Sequence, residues 1–157
     1  MHYPYSIAIV SLALLLSACS SETETGTSLA SGEAVDAPVR DIDFSRVARG
    51  GNLYQQNCAS CHGVDGEGAP NWRERDVQGF FPAPPLNGTG HTWHHPRRML
   101  QHVIKNGSPG GGQMPAWQGR LSDEEIDSII DWFQSRWPDE VYAAWQEMET
   151  RSRQAAR

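Results

Sequence analysis

The sequence predicts an all-α fold, in which one small helical domain carries shorter appendages. Apolar residues recur at helical spacing in three segments, 43–57, 96–106 and 122–137, and residues typical of helix boundaries flank each segment. The intervening segments, 63–95 and 107–119, contain several Gly and Pro residues and are typical of loops. A length of 157 residues suits one domain of this kind.

The composition argues against a membrane-embedded or nucleic-acid-binding protein. Hydrophobic residues make up 38% of the chain, which is ordinary for a small soluble domain and too few for a membrane protein. The formal net charge is −6, and five acidic residues and one Arg place −4 of it on 20–42. The remainder is nearly neutral, and Lys105 is the only lysine, so no basic face for nucleic acid is expected.

Residues 1–18 are predicted to be a signal peptide. The apolar run 7–16 is too short for a membrane-spanning helix, which needs about 20 residues. It leads into Leu16-Ser17-Ala18-Cys19, which resembles the lipobox of bacterial lipoproteins. That resemblance implies cleavage before Cys19 and lipidation of its thiol, and two or three acyl chains would anchor the protein stably. No Lys or Arg precedes the apolar run, and an ordinary secretory signal with Cys19 discarded or free is the alternative.

The segment 20–42, which follows Cys19, is predicted to be a flexible acidic tether. Its residues are mostly small, polar or acidic, and it has too little apolar surface to order itself. A coil of this length has an r.m.s. span of about 25–30 Å. That reach would let a tethered domain move between partners on one membrane surface.

The first helix of the domain is predicted over 43–57, with Asp43 or Ser45 as its N-cap. One face at helical spacing carries Val47, Tyr54 and Cys58. Gly50 and Gly51 interrupt this helix, and a Gly inside a helix costs about 1 kcal/mol relative to Ala. Two adjacent Gly residues therefore indicate close contact with another backbone.

The motif Cys58-x-x-Cys61-His62 is the attachment signature of c-type haem. Its spacing suits the chemistry, because one short turn presents two thiols to the two vinyl groups at one edge of the porphyrin. His62 follows at once, so its imidazole can bind the iron from the proximal side. One motif predicts one haem.

Other sites built on Cys-x-x-Cys fit less well. A thioredoxin-like redox pair lies at a βα junction, and no such pattern surrounds Cys58. A structural zinc site needs four ligands, and Cys19, Cys58 and Cys61 are the only cysteines. A disulfide between Cys58 and Cys61 would leave His62 without a role.

The long segment 63–95 has little regular pattern, and a structureless loop of this length is uncommon in a compact domain. A haem accounts for it, because the ring supplies the apolar surface on which such a loop packs. The aromatic residues expected to form walls of the haem site are Trp72, Phe80, Phe81 and Trp93.

A short helix is predicted over 96–106, with Pro96 in its first turn and Gly107 just beyond its end. The Gly-rich loop that follows contains Met114, which lies 52 residues after His62. A thioether sulfur is a soft, neutral ligand for haem iron, so Met114 is predicted to be the distal ligand.

Other candidates for the distal position are less favourable. Met99 falls among core positions of the 96–106 helix, and Met148 lies in the charged tail. Surface or capping roles are expected for the four histidines that could otherwise supply a second imidazole: His91, His94, His95 and His102.

The best-marked helix begins at Ser122, where Ser122 and Glu125 form a predicted capping box. Its apolar stripe consists of Ile126, Ile129, Ile130, Phe133 and Trp137. Pro138 ends it, and the tail 139–157 is predicted to be helical or disordered. Apolar residues at helical spacing favour packing of this tail on the domain, and a docking helix for a partner is the alternative.

The region 43–138 resembles a class I cytochrome c domain, the fold of mitochondrial cytochrome c. In that family a Gly and an aromatic residue lie eight and four residues before the first haem Cys, and Gly50 and Tyr54 occupy these positions. The Gly lets the first and last helices cross closely against an aromatic residue, for which Trp132 is the match. The resemblance implies a cytochrome c fold, a small helical domain wrapped around one covalently attached haem.

The resemblance also implies a Pro whose carbonyl accepts a hydrogen bond from the proximal His62, which orients the ring and tunes the metal. Pro85 fits that place best, with Pro84 as a close rival. The family's lysine-rich face around the haem edge is absent here, so nothing supports a strongly acidic partner.

These features predict a monohaem c-type cytochrome that carries single electrons between membrane-associated redox proteins on the extracytoplasmic side of a bacterial membrane. We expect a lipid-anchored periplasmic monomer that is not an enzyme, although it could be the subunit through which electrons enter a larger oxidoreductase. The alternative is a haem enzyme subunit or gas-binding sensor in which Met114 binds weakly or not at all. A third hypothesis is an assembly protein that uses haem only for folding.

Overall fold

The computed structural model describes residues 38–109 and 112–157, so the predicted signal peptide, Cys19 and most of the predicted tether lie outside the described residues. The described part is helical and contains no β-strand, which confirms the all-α prediction. Its helices are α1 (Phe44–Asn57), α2 (Ala59–His62), α3 (Arg97–Asn106), α4 (Asp123–Ser135) and α5 (Asp139–Ala155). A 3₁₀ turn, Thr92–His94, precedes α3. None of the described helices is long and apolar enough to cross a membrane.

Helices α1 and α4 cross at the two adjacent glycines of α1. A Cβ on Gly50 would overlap the backbone carbonyl of Ser128, and one on Gly51 would lie 2.8 Å from Trp132 Nε1. Beside this crossing Tyr54 stacks on Trp132, with 4.1 Å between ring centroids. Such an aromatic pair contributes about 0.5–1.5 kcal/mol beyond the area it buries. The predicted close contact at Gly50 is confirmed.

Helix α4 forms the centre of the core. Ser122 Oγ accepts a hydrogen bond from the Glu125 N–H, and the Glu125 carboxylate accepts one from the Ser122 N–H, so the predicted capping box is confirmed. The helix ends at Ser135, two residues before the predicted end, yet Trp137 is still buried. The buried apolar cluster consists of Tyr54, Leu100, Ile126, Ile129, Ile130, Trp132, Phe133, Trp137 and Trp145.

The tail forms helix α5 and packs on the domain, as the preferred prediction stated. Trp145 is 6% exposed and belongs to the core cluster. Its Nε1 donates a hydrogen bond to the His95 carbonyl at 3.1 Å. One turn further on, the buried Glu149 carboxylate accepts a 2.9 Å hydrogen bond from the Arg97 N–H at the start of α3.

The segment 38–42 differs from the prediction of a flexible tether, because Arg40 fastens it to the domain. The Arg40 guanidinium donates hydrogen bonds to the Trp137 carbonyl at 2.6 Å and to the Gln134 carbonyl at 3.2 Å. It also pairs with Asp139 at 2.6 Å and lies over the Tyr142 ring. Arg40 thus adds donors to Gln134 in the last turn of α4 and to Trp137 just beyond that helix. The predicted boundary at residue 42 is therefore wrong for this stretch.

Candidate haem site

An apolar cavity of about 360 Å³ opens beside α3 and α4. Its apolar lining consists of Phe81, Pro84, Leu86, Met99, Leu100, Val103, Ile104, Pro109, Met114 and Phe133. Its polar lining consists of His62, His91, Thr92, His95 and Ser108. Broad apolar walls with an imidazole and a thioether among them match what a flat macrocycle with a central iron needs, so these residues fit a haem.

Helix α2 carries the second thiol and the imidazole of the attachment motif. Cys58 separates α1 from α2 and is half-buried, whereas Cys61 is exposed. Burial, with a smaller contribution from Cys61, raises the pKa of the Cys58 thiol to about 11, so this thiol is protonated near neutral pH. His62 closes the short helix and is 8% exposed.

The carbonyl that faces His62 belongs to Pro84, so the prediction of Pro85 is wrong. His62 Nδ1 lies 2.9 Å from the Pro84 oxygen, and its N–H donates to that oxygen. The Pro85 carbonyl instead accepts a 3.1 Å hydrogen bond from Thr92 Oγ1. With Nδ1 engaged, Nε2 is the nitrogen available to iron. Burial lowers the pKa of His62, which favours the neutral imidazole that binds a metal.

Gly68 holds Pro84 at this position, a role that the sequence analysis missed. Its φ is +68°, and a Cβ there would lie 2.6 Å from the Pro84 carbonyl carbon. Its own N–H donates a 2.7 Å hydrogen bond to the His62 carbonyl. Gly68 therefore brings the two chain segments together because it has no side chain. The run of glycines at 63, 66 and 68 was the available signal.

Met114 lines the same cavity as His62, so the structure brings the two predicted iron ligands into one site. The Met114 N–H donates to Ser108 Oγ at 3.3 Å, and the Met114 carbonyl accepts from the Ser108 N–H at 3.1 Å. The loop then returns to α3, where the Trp117 N–H donates to the Ile104 carbonyl.

Comparison with known proteins identifies the family. The family model described as cytochrome c oxidase, cbb3-type, subunit III matches residues 45–133. The chain belongs to this family of c-type cytochromes. This cytochrome's match begins in α1 and ends in α4, so it spans the haem motif and Met114.

Three relatives place this cytochrome among others of its kind. It is 37% identical to the Cbb3-type cytochrome c oxidase subunit CcoP of Azospirillum sp. (strain B510), over 55% of this chain and 27% of that protein. It is 32% identical to cytochrome c6 of Leptolyngbya boryana, over 52% of this chain and 82% of that protein. It is 27% identical to cytochrome c-551 of Bacillus subtilis (strain 168), over 80% and 88% respectively. No solved structure matches the chain.

Haem c is the covalent cofactor of this cytochrome family. In this chain Cys58 and Cys61 would hold the porphyrin, and His62 and Met114 would hold the iron. The bound haem supplies a one-electron couple between Fe(II) and Fe(III). The apolar walls of the cavity would orient the ring and exclude water from it.

The aromatic walls of this cytochrome's site differ from those predicted. Phe81 lines the cavity, but the other three predicted wall residues are not among its lining residues. Trp72 stacks on His91 with 5.4 Å between ring centroids, and Trp93 packs on His94 at 3.7 Å. The backbone N–H and carbonyl of Phe80 instead form hydrogen bonds with Asp76.

Two histidines predicted to be surface or capping residues, and one methionine predicted to lie in the core, also line the cavity. His91 and His95 meet edge to face, with 5.4 Å between ring centroids, and both contribute to its wall. Met99 is 36% exposed and also lines the cavity. Helical spacing predicted that this face of α3 packs in the core, but the face forms part of the cavity wall.

Proposed function

We propose that this cytochrome carries single electrons between membrane-associated redox proteins on the extracytoplasmic side of a bacterial membrane. The observation that carries the proposal is that His62 and Met114 line one apolar cavity. Side chains at both axial positions would leave no open coordination site for a substrate, and gain or loss of one electron then needs little rearrangement. The part played by the chain is to bind and orient the haem and to exclude water.

The relatives of the chain include proteins named cytochrome c6 and cytochrome c-551 as well as oxidase subunits. The chain spans 82% of the cytochrome c6 and 88% of the cytochrome c-551 to which it is similar. It spans about a quarter of the CcoP subunit.

A second candidate is a subunit through which electrons enter a larger oxidoreductase. It is favoured by the 37% identity to a protein named as an oxidase subunit. The two candidates differ in assembly. A free carrier purifies alone and exchanges electrons with separate membrane complexes, whereas a subunit purifies with an oxidase after mild detergent extraction.

The proposed location depends on Cys19, which would carry the lipid anchor. Mass spectrometry of the mature protein should find an N-terminus at Cys19 with the added mass of acyl chains. Cys19→Ser should release the protein from the membrane fraction. An unmodified N-terminus at another residue would contradict the lipoprotein proposal.

Optical spectra of the haem-loaded protein test the carrier proposal. A low-spin c-type spectrum is expected, with a weak long-wavelength iron–thioether band in the oxidised form that disappears in Met114→Ala. The reduced wild-type protein should bind carbon monoxide poorly. A high-spin spectrum or prompt carbon monoxide binding would instead favour a haem enzyme or gas sensor.

A further inference from the structure

A hydrogen bond joins Gln113, the residue before Met114, to the long loop 63–95. Gln113 Nε2 donates to Asp76 Oδ2 at 2.8 Å. Asp76 lies 37 residues earlier, in the loop that also supplies Phe81 to the cavity wall. Gln113 Nε2 also lies 3.5 Å from Gln78 Oε1 in the same loop. Through these contacts Gln113 connects the segment carrying the proposed distal ligand with the loop that forms a wall of the haem cavity.

The carboxylate of Asp76 is held in place before it meets Gln113. Its Oδ1 accepts hydrogen bonds from the N–H groups of Gln78 and Phe80, both at 2.9 Å. The Asp76 N–H donates in turn to the Phe80 carbonyl at 2.8 Å. The turn 76–80 thus fixes the carboxylate and leaves Oδ2 to accept from Gln113.

The hydrogen bonds made by the Met114 backbone are local by comparison. Both of its bonds are to Ser108, six residues earlier in the same loop. They shape the loop but do not tie it to the 76–81 wall. Gln113, which directly precedes Met114 in the chain, makes that connection.

We propose that Asp76 and Gln113 are positioning residues for the distal ligand. Their hydrogen bond holds Met114 toward the cavity and favours the state in which its sulfur binds the iron. The proposal rests on ligation by Met114. A hydrogen bond of this kind has a modest net effect, so its loss raises the population of the detached state by about two- to fivefold.

Imidazole, a small ligand that competes with the thioether for ferric iron, is the probe. The full haem-loaded chain is oxidised and titrated with imidazole, and loss of the long-wavelength band reports displacement. Gln113→Ala should bind imidazole about two- to fivefold more tightly than wild type. Gln118→Ala is the matched control, because Gln118 is an exposed glutamine four residues beyond Met114, and it should bind imidazole as wild type does.

A double-mutant cycle tests the partner. Adding Gln113→Ala to Asp76→Ala should have little further effect, because the 2.8 Å bond is already lost and only the 3.5 Å contact between Gln113 and Gln78 remains. Wild-type imidazole affinity in Gln113→Ala, or additive effects in the double variant, would overturn the positioning role. Met114→Ala separates the two proposals: if it leaves the oxidised spectrum unchanged, ligation by Met114 fails. If it abolishes the band while Gln113→Ala has no effect, only the positioning role fails.

Discussion

The Tyr54 hydroxyl donates a 2.7 Å hydrogen bond to the carbonyl of Gly63, the residue directly after His62, the proposed proximal ligand. The ring of the same side chain is fully buried and stacks on Trp132 of α4. One side chain therefore connects the helix crossing to the turn that positions His62. Packing of the two helices and placement of the imidazole depend on each other through this contact.

Tyr54→Phe keeps the stacked ring and removes this hydrogen bond. We expect the free energy of unfolding to fall by about 0.5–1.5 kcal/mol, because the Gly63 carbonyl loses the shorter of its two hydrogen bonds and keeps only that from the Gly66 N–H. Urea denaturation of the haem-loaded protein measures the change. Tyr142→Phe, which alters a partly buried tyrosine on α5 away from the haem turn, should change stability by less than about 0.5 kcal/mol. Equal losses in both variants would contradict a specific role for the Gly63 contact.

Gly50→Ala tests the crossing of α1 and α4. The new Cβ would overlap the Ser128 carbonyl, so the helices must separate, and overpacking of this kind costs about 1–3 kcal/mol or more. Denaturant unfolding should show this loss. Ala48→Ser, at an exposed position on the same helix, should stay within about 0.5 kcal/mol of wild type. Unchanged stability in Gly50→Ala would show that the helices tolerate the added methyl group.

Arg40→Ala tests whether 38–42 belongs to the folded unit. The Arg40 side chain is 12% exposed and gives charged donors to two carbonyls, so we expect a loss of about 1–3 kcal/mol in the free energy of unfolding. Arg49→Ala is the control, since its pair with Glu125 is longer, at 3.4 Å, and the Arg49 side chain is 54% exposed. An exposed pair of this kind contributes about 0–1 kcal/mol. An equal loss of unfolding free energy in both variants would contradict a specific stabilising role for the contacts of Arg40.

Gly68→Ala should disturb the hydrogen bond between Pro84 and His62. Without that bond the imidazole donates less electron density to the iron, ferric haem is less favoured, and the reduction potential rises. A bond of about 0.5–1.5 kcal/mol corresponds to about 20–65 mV for one electron. Gly119→Ala is the control, because Gly119 also has a positive φ but no atom lies within 4 Å of its Cβ position. Potentiometric titration should separate the two variants, and equal potentials would count against the role of Gly68.

His91 and His95 should make stability depend on pH. Burial, followed by the charges of neighbouring histidines, lowers the pKa of both from 6.5, and Arg73 adds to the effect on His91. As the pH falls below about 6.5, the unfolded chain takes up protons that the folded chain does not, so stability declines. Unfolding midpoints at pH 7 and pH 5.5 should show this loss.

The double variant His91→Gln/His95→Gln should lose part of that decline. His102→Gln, which alters an exposed histidine on α3, should retain it. An unchanged pH profile in the double variant would exclude these two side chains as its source.

The parts of this fold that the sequence predicted are those determined locally. The capping box of Ser122 and Glu125, the glycines of α1 and the haem motif each lie within a few residues of chain. Pro84 and Pro85 could not be told apart, because adjacent carbonyls in an extended segment point in different directions and the choice depends on His62, 22 residues away. Tertiary contacts of this kind leave no periodic signal.

The docking of Arg40 was missed for a related reason. A single Arg in a polar, acidic segment has the composition of a disordered tether, and its partners are carbonyls more than 90 residues further along the chain. The cavity walls were mispredicted because aromatic content alone does not say which way a loop turns its side chains. Phe81 faces the site, whereas its neighbour Phe80 does not.

The family match ends before helix α5, whereas the buried core includes a residue of that helix. The family match ends at residue 133, yet Trp137 and Trp145 complete the buried cluster, and Trp145 bonds to the backbone of His95 at the cavity wall. The region matched by the family model is therefore shorter than the unit that packs together. A truncation at residue 133 would remove part of the support of the cavity, so we expect the smallest stable fragment of this cytochrome to extend into α5.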